Sequence, residues 1–223
     1  MSKKLSPAPS PAAADGSGQD HHDAVVGPIA NSGLFNLAHY SRERGTSFSN
    51  LSDAIRDYVT GGDADGLSPH PLFDAAYYRS CNPDTAASGM LPLLHFLSSG
   101  AAEGRAPHLL FDPAHYIAQA GDAARANPLL HYLTAGIGDG LSPHPLFDPG
   151  YYQAQAGGEA RFGPLQHFLS TGAAKGLSPH PLFDPAHYVA AAGEAARANP
   201  LHHYLTTGIA AGLSPHPLFD PAH

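Results

Sequence analysis

The chain of 223 residues has no tryptophan, two methionines and one cysteine. The single Cys81 excludes an internal disulfide framework and any zinc site built from several cysteines. Positive charge is also scarce: 11 Lys and Arg residues stand against 19 Asp and Glu residues, which gives a formal charge of −8. Nucleic-acid-binding surfaces need clustered Lys and Arg, so the composition argues against that class of function.

Long apolar runs are absent too. No stretch approaches the roughly 20 residues that cross a bilayer, so no membrane span is predicted. The first residues, Met1–Pro9, include two lysines but no hydrophobic segment after them, so they do not form a secretory signal. The sequence therefore predicts a cytoplasmic location.

What the chain does contain is a repeated unit. Leu-Phe-Asp occurs five times, with the variant Leu34-Phe35-Asn36 before them, and successive phenylalanines are 38, 38, 36, 36 and 36 residues apart. This period is typical of stacked repeat arrays rather than of globular enzyme domains. The phenylalanines are Phe35, Phe73, Phe111, Phe147, Phe183 and Phe219.

Each unit is predicted to hold two short helices, as the third unit shows. Asp112 can cap the free N–H groups of a helix, a proline follows it, and Gly121 can take the left-handed conformation at the helix end. The same order returns with Asn127 as the cap, a proline after it, and Gly136 at the end. Strands are not expected, because no alternating run of β-branched residues occurs.

Helices of about eight residues do not survive alone in water, so packing must hold them. In the third unit Leu129, Tyr132 and Leu133 share one apolar face, and Tyr116 and Ile117 supply the facing surface. The predicted core of the repeats consists of Phe73, Phe96, Phe111, Tyr116, Tyr132, Leu133, Phe147, Tyr152, Phe168, Phe183, Tyr188 and Tyr204.

The connector between units has a constant length. From the second-helix aromatic to the next Leu-Phe-Asp phenylalanine is 15 residues in all five cases, whereas the distance inside a unit is 23, 23, 21, 21 and 21 residues. In the connector Gly-Leu-Ser-Pro-His-Pro-Leu-Phe, two prolines flank a histidine and favour an extended backbone. We expect the connector to set how one unit stacks on the next, with its Leu and Phe filling the core between units.

The sequence thus predicts an all-α fold, a right-stacked array of short helix pairs that resembles an α-solenoid with a period of 36–38 residues. Residues 1–30, rich in Ala, Pro and Ser, are predicted to be a disordered tail. Residues 31–219 form five helical repeats, and residues 220–223 begin a truncated sixth. Solenoids normally end in a polar capping unit. Its absence suggests a fragment of a longer protein, with self-association through the uncapped C-terminal end.

The repeat resembles a known type. The unit Leu-Phe-Asp-Pro-x-x-Tyr, Asn-Pro-Leu-x-His-Tyr-Leu-x-x-Gly, Gly-x-x-Pro-His-Pro is similar to repeats in large bacterial proteins of cell-surface polysaccharide synthesis, where they commonly stand beside glycosyltransferase domains. The match runs from Leu72 to Ala222, residues 34–71 match loosely, and Ser80–Asp84 is similar to the Asn-Pro-Asp stretch between the helices of those repeats. This chain has no nucleotide-sugar-binding half-domain. The resemblance implies an accessory array, and no catalytic residue is carried over.

Histidine, with 16 copies, is the one polar residue type that is frequent enough to indicate a functional site. It recurs in the connector, on the second helix and, in part, on the first, where Tyr77 and Tyr151 replace it. Stacked rows of imidazole could bind zinc, copper or nickel, but no carboxylate or thiol recurs at ligand spacing, so the rings are expected to fill space and cap helix ends. The candidate metal ligands, were a site present, are His108, His131, His144, His167, His180 and His203.

Other motifs are weaker. Gly61–Gly66 resembles the start of a calcium loop without its later acidic ligand, and a flexible turn is expected there. Cys81 has no repeated histidine partner and is expected to be a semi-buried structural thiol. No catalytic residue and no cofactor is predicted. Three hypotheses follow: a non-catalytic scaffold for a protein partner or a tethered glycosyltransferase, an array that binds carbohydrate through one Tyr ring and one His per unit, or metal binding by the His rows.

Overall fold

The computed structural model of the protein describes residues 16–218, with side chains from residue 24 onwards. Within this range the fold is all-α, and the extended backbone amounts to isolated bridges inside the connectors. The predicted fold class is confirmed. In chain order the helices are α1 Gly16–Asn31, α2 Leu37–Arg44, α3 Leu51–Asp57, α4 Ala75–Cys81, α5 Pro83–Ser88, α6 Pro92–His95, α7 Pro113–Ala120, α8 Pro128–His131, α9 Pro149–Ala156, α10 Pro164–His167, α11 Pro185–Ala192 and α12 Pro200–His203.

The first helix of each unit begins as the sequence indicates. Asp112 Oδ1 accepts hydrogen bonds from the N–H groups of Ala114 and His115 at 2.9 and 3.0 Å, which satisfies two donors that have no partner within the helix. Gly121 has a positive φ of 77° but an extended ψ of −164°, so α7 ends in a different conformation from the expected left-handed one. Units 1 to 5 begin at the equivalent capping residues, Asn36, Asp74, Asp112, Asp148 and Asp184.

The second helix is not the regular helix of eight residues that the sequence predicts. Each one starts as a short α-helix and widens into five residues of π-helix, as when the N–H of Ile137 bonds the carbonyl of Tyr132 five residues earlier at 2.9 Å. The left-handed residue is Gly140, with φ 69°, rather than Gly136. The π-helices are Tyr58–Gly62, Phe96–Gly100, Tyr132–Gly136, Phe168–Gly172 and Tyr204–Gly208.

A glycine ends every π-helix because a tyrosine hydroxyl occupies the space beside it. A Cβ on Gly136 would overlap the hydroxyl oxygen of Tyr116, which comes from the first helix of the same unit. This is a steric requirement for glycine and not the helix-end role that the sequence suggests. We call it the tyrosine–glycine contact. The pairs are Tyr40–Gly62, Tyr78–Gly100, Tyr116–Gly136, Tyr152–Gly172 and Tyr188–Gly208.

Three aromatic rings form the core of each unit. In unit 3 the Phe111 ring centroid lies 5.5 Å from that of Tyr116 and 5.6 Å from that of Tyr132, and the two tyrosine rings cross at 89°. Such edge-on contacts add about 0.5–1.5 kcal/mol to the burial of each pair. Of the twelve predicted core residues, Leu133 and Tyr204 are partly buried and the others are buried.

The connector joins adjacent units through the backbone. The N–H of Asp112, where unit 3 begins, bonds the carbonyl of Pro143, in the connector that leads into unit 4, at 2.9 Å. The same bond occurs at the start of all five units, each time to the proline before the connector histidine. The phenylalanine that ends each connector, such as Phe147, packs against the rings of its own unit. The expectation that the connector Leu and Phe fill the core between units stays a prediction.

The array winds back on itself. The side-chain amide of Gln166, in unit 4, lies 3.4 Å from His70 Nε2, in the connector after unit 1, although 96 residues separate them. Leu130 of unit 3 likewise faces Gly33, where an added Cβ would lie 3.5 Å from its Cδ1. Each turn of the array therefore rests on the turn before it, and contacts reach beyond immediate neighbours.

Exposure of the connector leucines follows from this winding. Leu72 and Leu110 are fully buried, whereas Leu182 is 49% and Leu218 is 87% exposed. The earlier connectors are covered by a later turn, and the last two are not.

Helix α1 corrects the predicted tail for residues 24–30. Val26 and Ile29 are buried, and the helix packs on α3 and α6, the second helices of units 1 and 2. Helical spacing is present in the sequence at Val25, Val26, Ile29 and Ala30. The average composition of residues 1–30, which is dominated by small residues, conceals this pattern. Residues 1–15 and 219–223 lie outside the described residues, and so does the predicted start of a sixth unit.

Adjacent glycines in unit 1 test the tyrosine–glycine contact. We expect Gly62→Ala to destabilise the protein by about 1–3 kcal/mol, because its Cβ overlaps the Tyr40 hydroxyl. Gly61→Ala is the matched control: its Cβ meets nothing within 4 Å, so it should be neutral or stabilising. Urea denaturation monitored by circular dichroism measures both, and equal effects of the two substitutions would contradict the steric argument.

Candidate functional site

The second-helix histidines are hydrogen-bonded to the first-helix tyrosines. Tyr116 Oη lies 2.7 Å from His131 Nδ1, and the other units repeat the pair at 2.6 to 2.8 Å. In unit 1 the carboxylate of Asp57 takes the place of the ring and accepts from Tyr40 Oη at 2.5 Å. A buried hydroxyl needs such a partner, so this row has a structural role. The pairs are Tyr78–His95, Tyr116–His131, Tyr152–His167 and Tyr188–His203.

The connector histidines also bond within the protein. His108 Nδ1 accepts from the N–H of Leu110 at 3.0 Å, closing a turn in the way that an Asn or Asp side chain does. The same bond occurs at His70, His108, His144, His180 and His216.

Burial lowers the pKa of three connector histidines, His70, His108 and His144, to about 4 in each case. Neighbouring histidines lower each pKa further, since a second positive charge nearby disfavours protonation. Asp74 opposes the shift at His108, and Asp112 opposes it at His144. The three rings are therefore neutral at physiological pH.

The first-helix row has no common pattern. His115 Nε2 lies 3.2 Å from Ser142 Oγ in the connector, whereas His39 Nε2 is buried without a hydrogen bond, 3.4 Å from Glu43 Oε1.

The structure does not bring the candidate metal ligands together. Within the part of the chain that it describes, no group of three or more His, Cys, Asp or Glu side chains is arranged to hold an ion. Each of the six candidates also has its Nδ1 engaged. His108, His144 and His180 accept from the backbone, and His131, His167 and His203 pair with tyrosine.

Two other predictions have an outcome in the structure. Residues 63–66 form a turn as expected. Asp63 in this turn is buried, accepts from the Tyr58 hydroxyl at 3.1 Å and pairs with Arg79, so it anchors unit 1 to unit 2. Cys81 is exposed rather than semi-buried.

One groove that the fold creates lies between turns. The first helix of unit 1 forms one wall and residues 159–170 of unit 4 form the other, enclosing a volume of about 700 Å³. This falls within the range of pockets that bind small molecules. We call it the inter-turn groove. Its polar and aromatic lining includes His39, Arg42, Glu43, Glu159, Phe162, Gln166 and His167.

Each wall carries a carboxylate beside a histidine. Glu43 Oε1 lies 3.4 Å from His39 Nε2, and Glu159 Oε2 lies 3.4 Å from His167 Nε2. The Lys175 ammonium, 3.5 Å away, is the main cause of a lowered pKa at Glu159. Arg42 in the lining and Lys175 beside it offset the charges of Glu43 and Glu159.

Sequence reasoning missed this groove because its walls come from units three apart. One indication was available: Phe162 and Gly163 depart from Ala126-Asn127 and Ala198-Asn199 at the same place in units 3 and 5.

Comparison with known proteins gives no identification. No family model matches the chain, and neither the curated proteins nor the solved structures include a detectable relative. In the described residues, no helix has the length and apolar character needed to cross a membrane.

The buried connector histidines predict a pH dependence. Their pKa is about 4 in the folded protein and near 6.5 when unfolded, so the unfolded chain binds more protons between these values. The free energy of unfolding should be highest above about pH 6.5. It should fall towards pH 4, by at most roughly 3 kcal/mol for each ring. Urea midpoints at about pH 7.5 and about pH 5 measure it.

A matched variant isolates these rings. Asn can accept the same N–H bond without titrating, so His70→Asn/His108→Asn/His144→Asn should flatten the pH profile. If the triple variant loses stability on acidification as steeply as the parent, other groups cause the effect.

Proposed function

We propose that the protein is a non-catalytic helical-repeat scaffold that binds a protein partner. The observation that carries the proposal is that the repeated polar groups are engaged inside the fold. The second-helix histidines pair with tyrosine and the connector histidines with the backbone. What remains for contact with other molecules is an extended surface and grooves between turns, the usual working surfaces of repeat arrays.

The resemblance of the repeat narrows the proposal. Repeats of this type commonly stand beside glycosyltransferase domains, so we infer an accessory role with a bacterial glycosyltransferase or polysaccharide-synthesis protein, in the cytoplasm. The exposed Leu182 and Leu218 support self-association at the C-terminal end as part of the same role.

Two measurements test the scaffold role. The purified chain should release no nucleotide from UDP-glucose or GDP-mannose above a protein-free blank, and turnover abolished by denaturing the chain would contradict a non-catalytic function. Crosslinking in the host, with the tagged chain against an untagged control, should enrich a glycosyltransferase of polysaccharide synthesis. Recovery of the chain without such an enzyme would contradict the accessory role.

Metal binding is the alternative that the histidine count favours. Because no three His, Cys, Asp or Glu side chains of the described residues are arranged to hold an ion, we expect titration with zinc or copper at neutral pH to give no heat of binding beyond dilution. A saturable heat that disappears in His131→Asn/His167→Asn would contradict this and establish the second-helix row as a metal site.

Carbohydrate binding through one tyrosine per unit has less support. The first-helix tyrosines Tyr40, Tyr78, Tyr116, Tyr152 and Tyr188 are fully buried, and a buried ring cannot stack on a sugar.

A further inference from the structure

Unit 4 departs from its neighbours at an exposed aromatic residue. Units 3, 4 and 5 have the same length, so their positions align at intervals of 36 residues. Phe162 aligns with Ala126 and Ala198, and its side chain is 84% exposed. The guanidinium carbon of Arg161 lies 5.6 Å from the ring centroid. An exposed phenylalanine adds nothing to the core of its unit, so packing does not explain its presence.

The next residue departs as well. Gly163 stands where Asn127 and Asn199 cap α8 and α12, and it makes no side-chain cap for α10. Replacing Asn by Gly at such a position costs a few tenths of a kcal/mol. Unit 4 therefore gives up local stability at the same place where it exposes an aromatic ring. Gly163 also leaves room for the Gln166 side chain, because an added Cβ would overlap Gln166 Oε1.

Both departures line the inter-turn groove, together with Gln166, which aligns with Leu130 and His202. The facing wall carries Arg42 and Glu43. Phe162, Gly163 and Gln166 thus lie beside one cavity, although the units that supply its two walls are far apart in the sequence.

The side chains that line the groove indicate the chemical class of its ligand. Glu43 and Glu159 accept hydrogen bonds, Arg42 donates them and Gln166 does both, which matches hydroxyl groups that donate and accept. The charges balance, so neither an anion nor a cation is favoured. The open face of Phe162 carries partial negative charge and suits the C–H groups of a sugar ring. Peptides usually need a strand edge or an apolar groove, and no strand edge occurs among the residues that the structure describes.

We propose that the inter-turn groove binds a neutral oligosaccharide, with Phe162 as the stacking ring and Arg42, Glu43 and Gln166 as hydrogen-bonding groups. This proposal gives one carbohydrate site per molecule, whereas the sequence suggested one site in each unit. The proposal goes beyond the scaffold role and does not depend on the glycosyltransferase association, so either can fail alone.

The test uses the full chain and two neutral probes, cellohexaose and maltohexaose, which differ in the geometry of the sugar linkage. Two-dimensional NMR should show saturable shifts of the groove residues with at least one probe at concentrations up to about 10 mM. Phe162→Ala, which restores the residue of units 3 and 5, should weaken that binding about tenfold or more while leaving the thermal midpoint unchanged or raised.

Tyr151→His is the matched control. Tyr151 is also an exposed aromatic residue of unit 4, 38% exposed and outside the lining of the groove, and His stands at the same position in units 3 and 5. Its affinity for the sugar should equal that of the parent. The proposal is overturned if neither probe shifts the groove residues, if Phe162→Ala binds as well as the parent, or if both variants weaken binding equally.

Discussion

The rest of the structure depends on the tyrosine–glycine contact. A first-helix tyrosine, such as Tyr116, is buried with its hydroxyl against the backbone of the second helix. Only glycine leaves room for that oxygen, and a buried hydroxyl must also find a hydrogen-bond partner. His131 supplies the partner, five residues before Gly136 and on the same helix. One contact therefore accounts for the glycine and for the second-helix histidine, and it fixes how the two helices of a unit cross.

Every unit is joined to the next by a connector of constant length. The same backbone bond to a connector proline is made at every unit, so each stacking step repeats the one before. Repetition of that step brings the array around until His70 meets Gln166. The inter-turn groove is thus a consequence of the step between units, and no single unit contains it. Helix α1 covers α3 and α6, the second helices of units 1 and 2, which have no earlier turn beneath them.

Local features were predictable from the sequence, because a cap such as Asp112 or an aromatic core residue such as Phe111 acts within a few residues of itself or within its unit. The π-helices were not, since Gly136 has the same appearance in the sequence whether it ends a helix or makes room for a hydroxyl. The winding was not predictable either: a period of 36 residues gives the length of a step but neither its rotation nor its rise. The groove depends on both quantities. In the sequence, Phe162 and Gly163 of the groove are visible only as departures from the repeat.

In a repeat protein, residues needed for packing can be told from other residues by comparing the units with one another. A residue that recurs in every unit and is buried, such as Tyr152, is explained by the unit itself. The exposed Phe162 has no such explanation, and Gly163 beside it stands where other units have a helix-capping asparagine. Phe162 and Gly163 lie with Gln166 beside one cavity, opposite the charged side chains of unit 1. This placement is the reason for proposing a ligand site in the cavity rather than in the repeat.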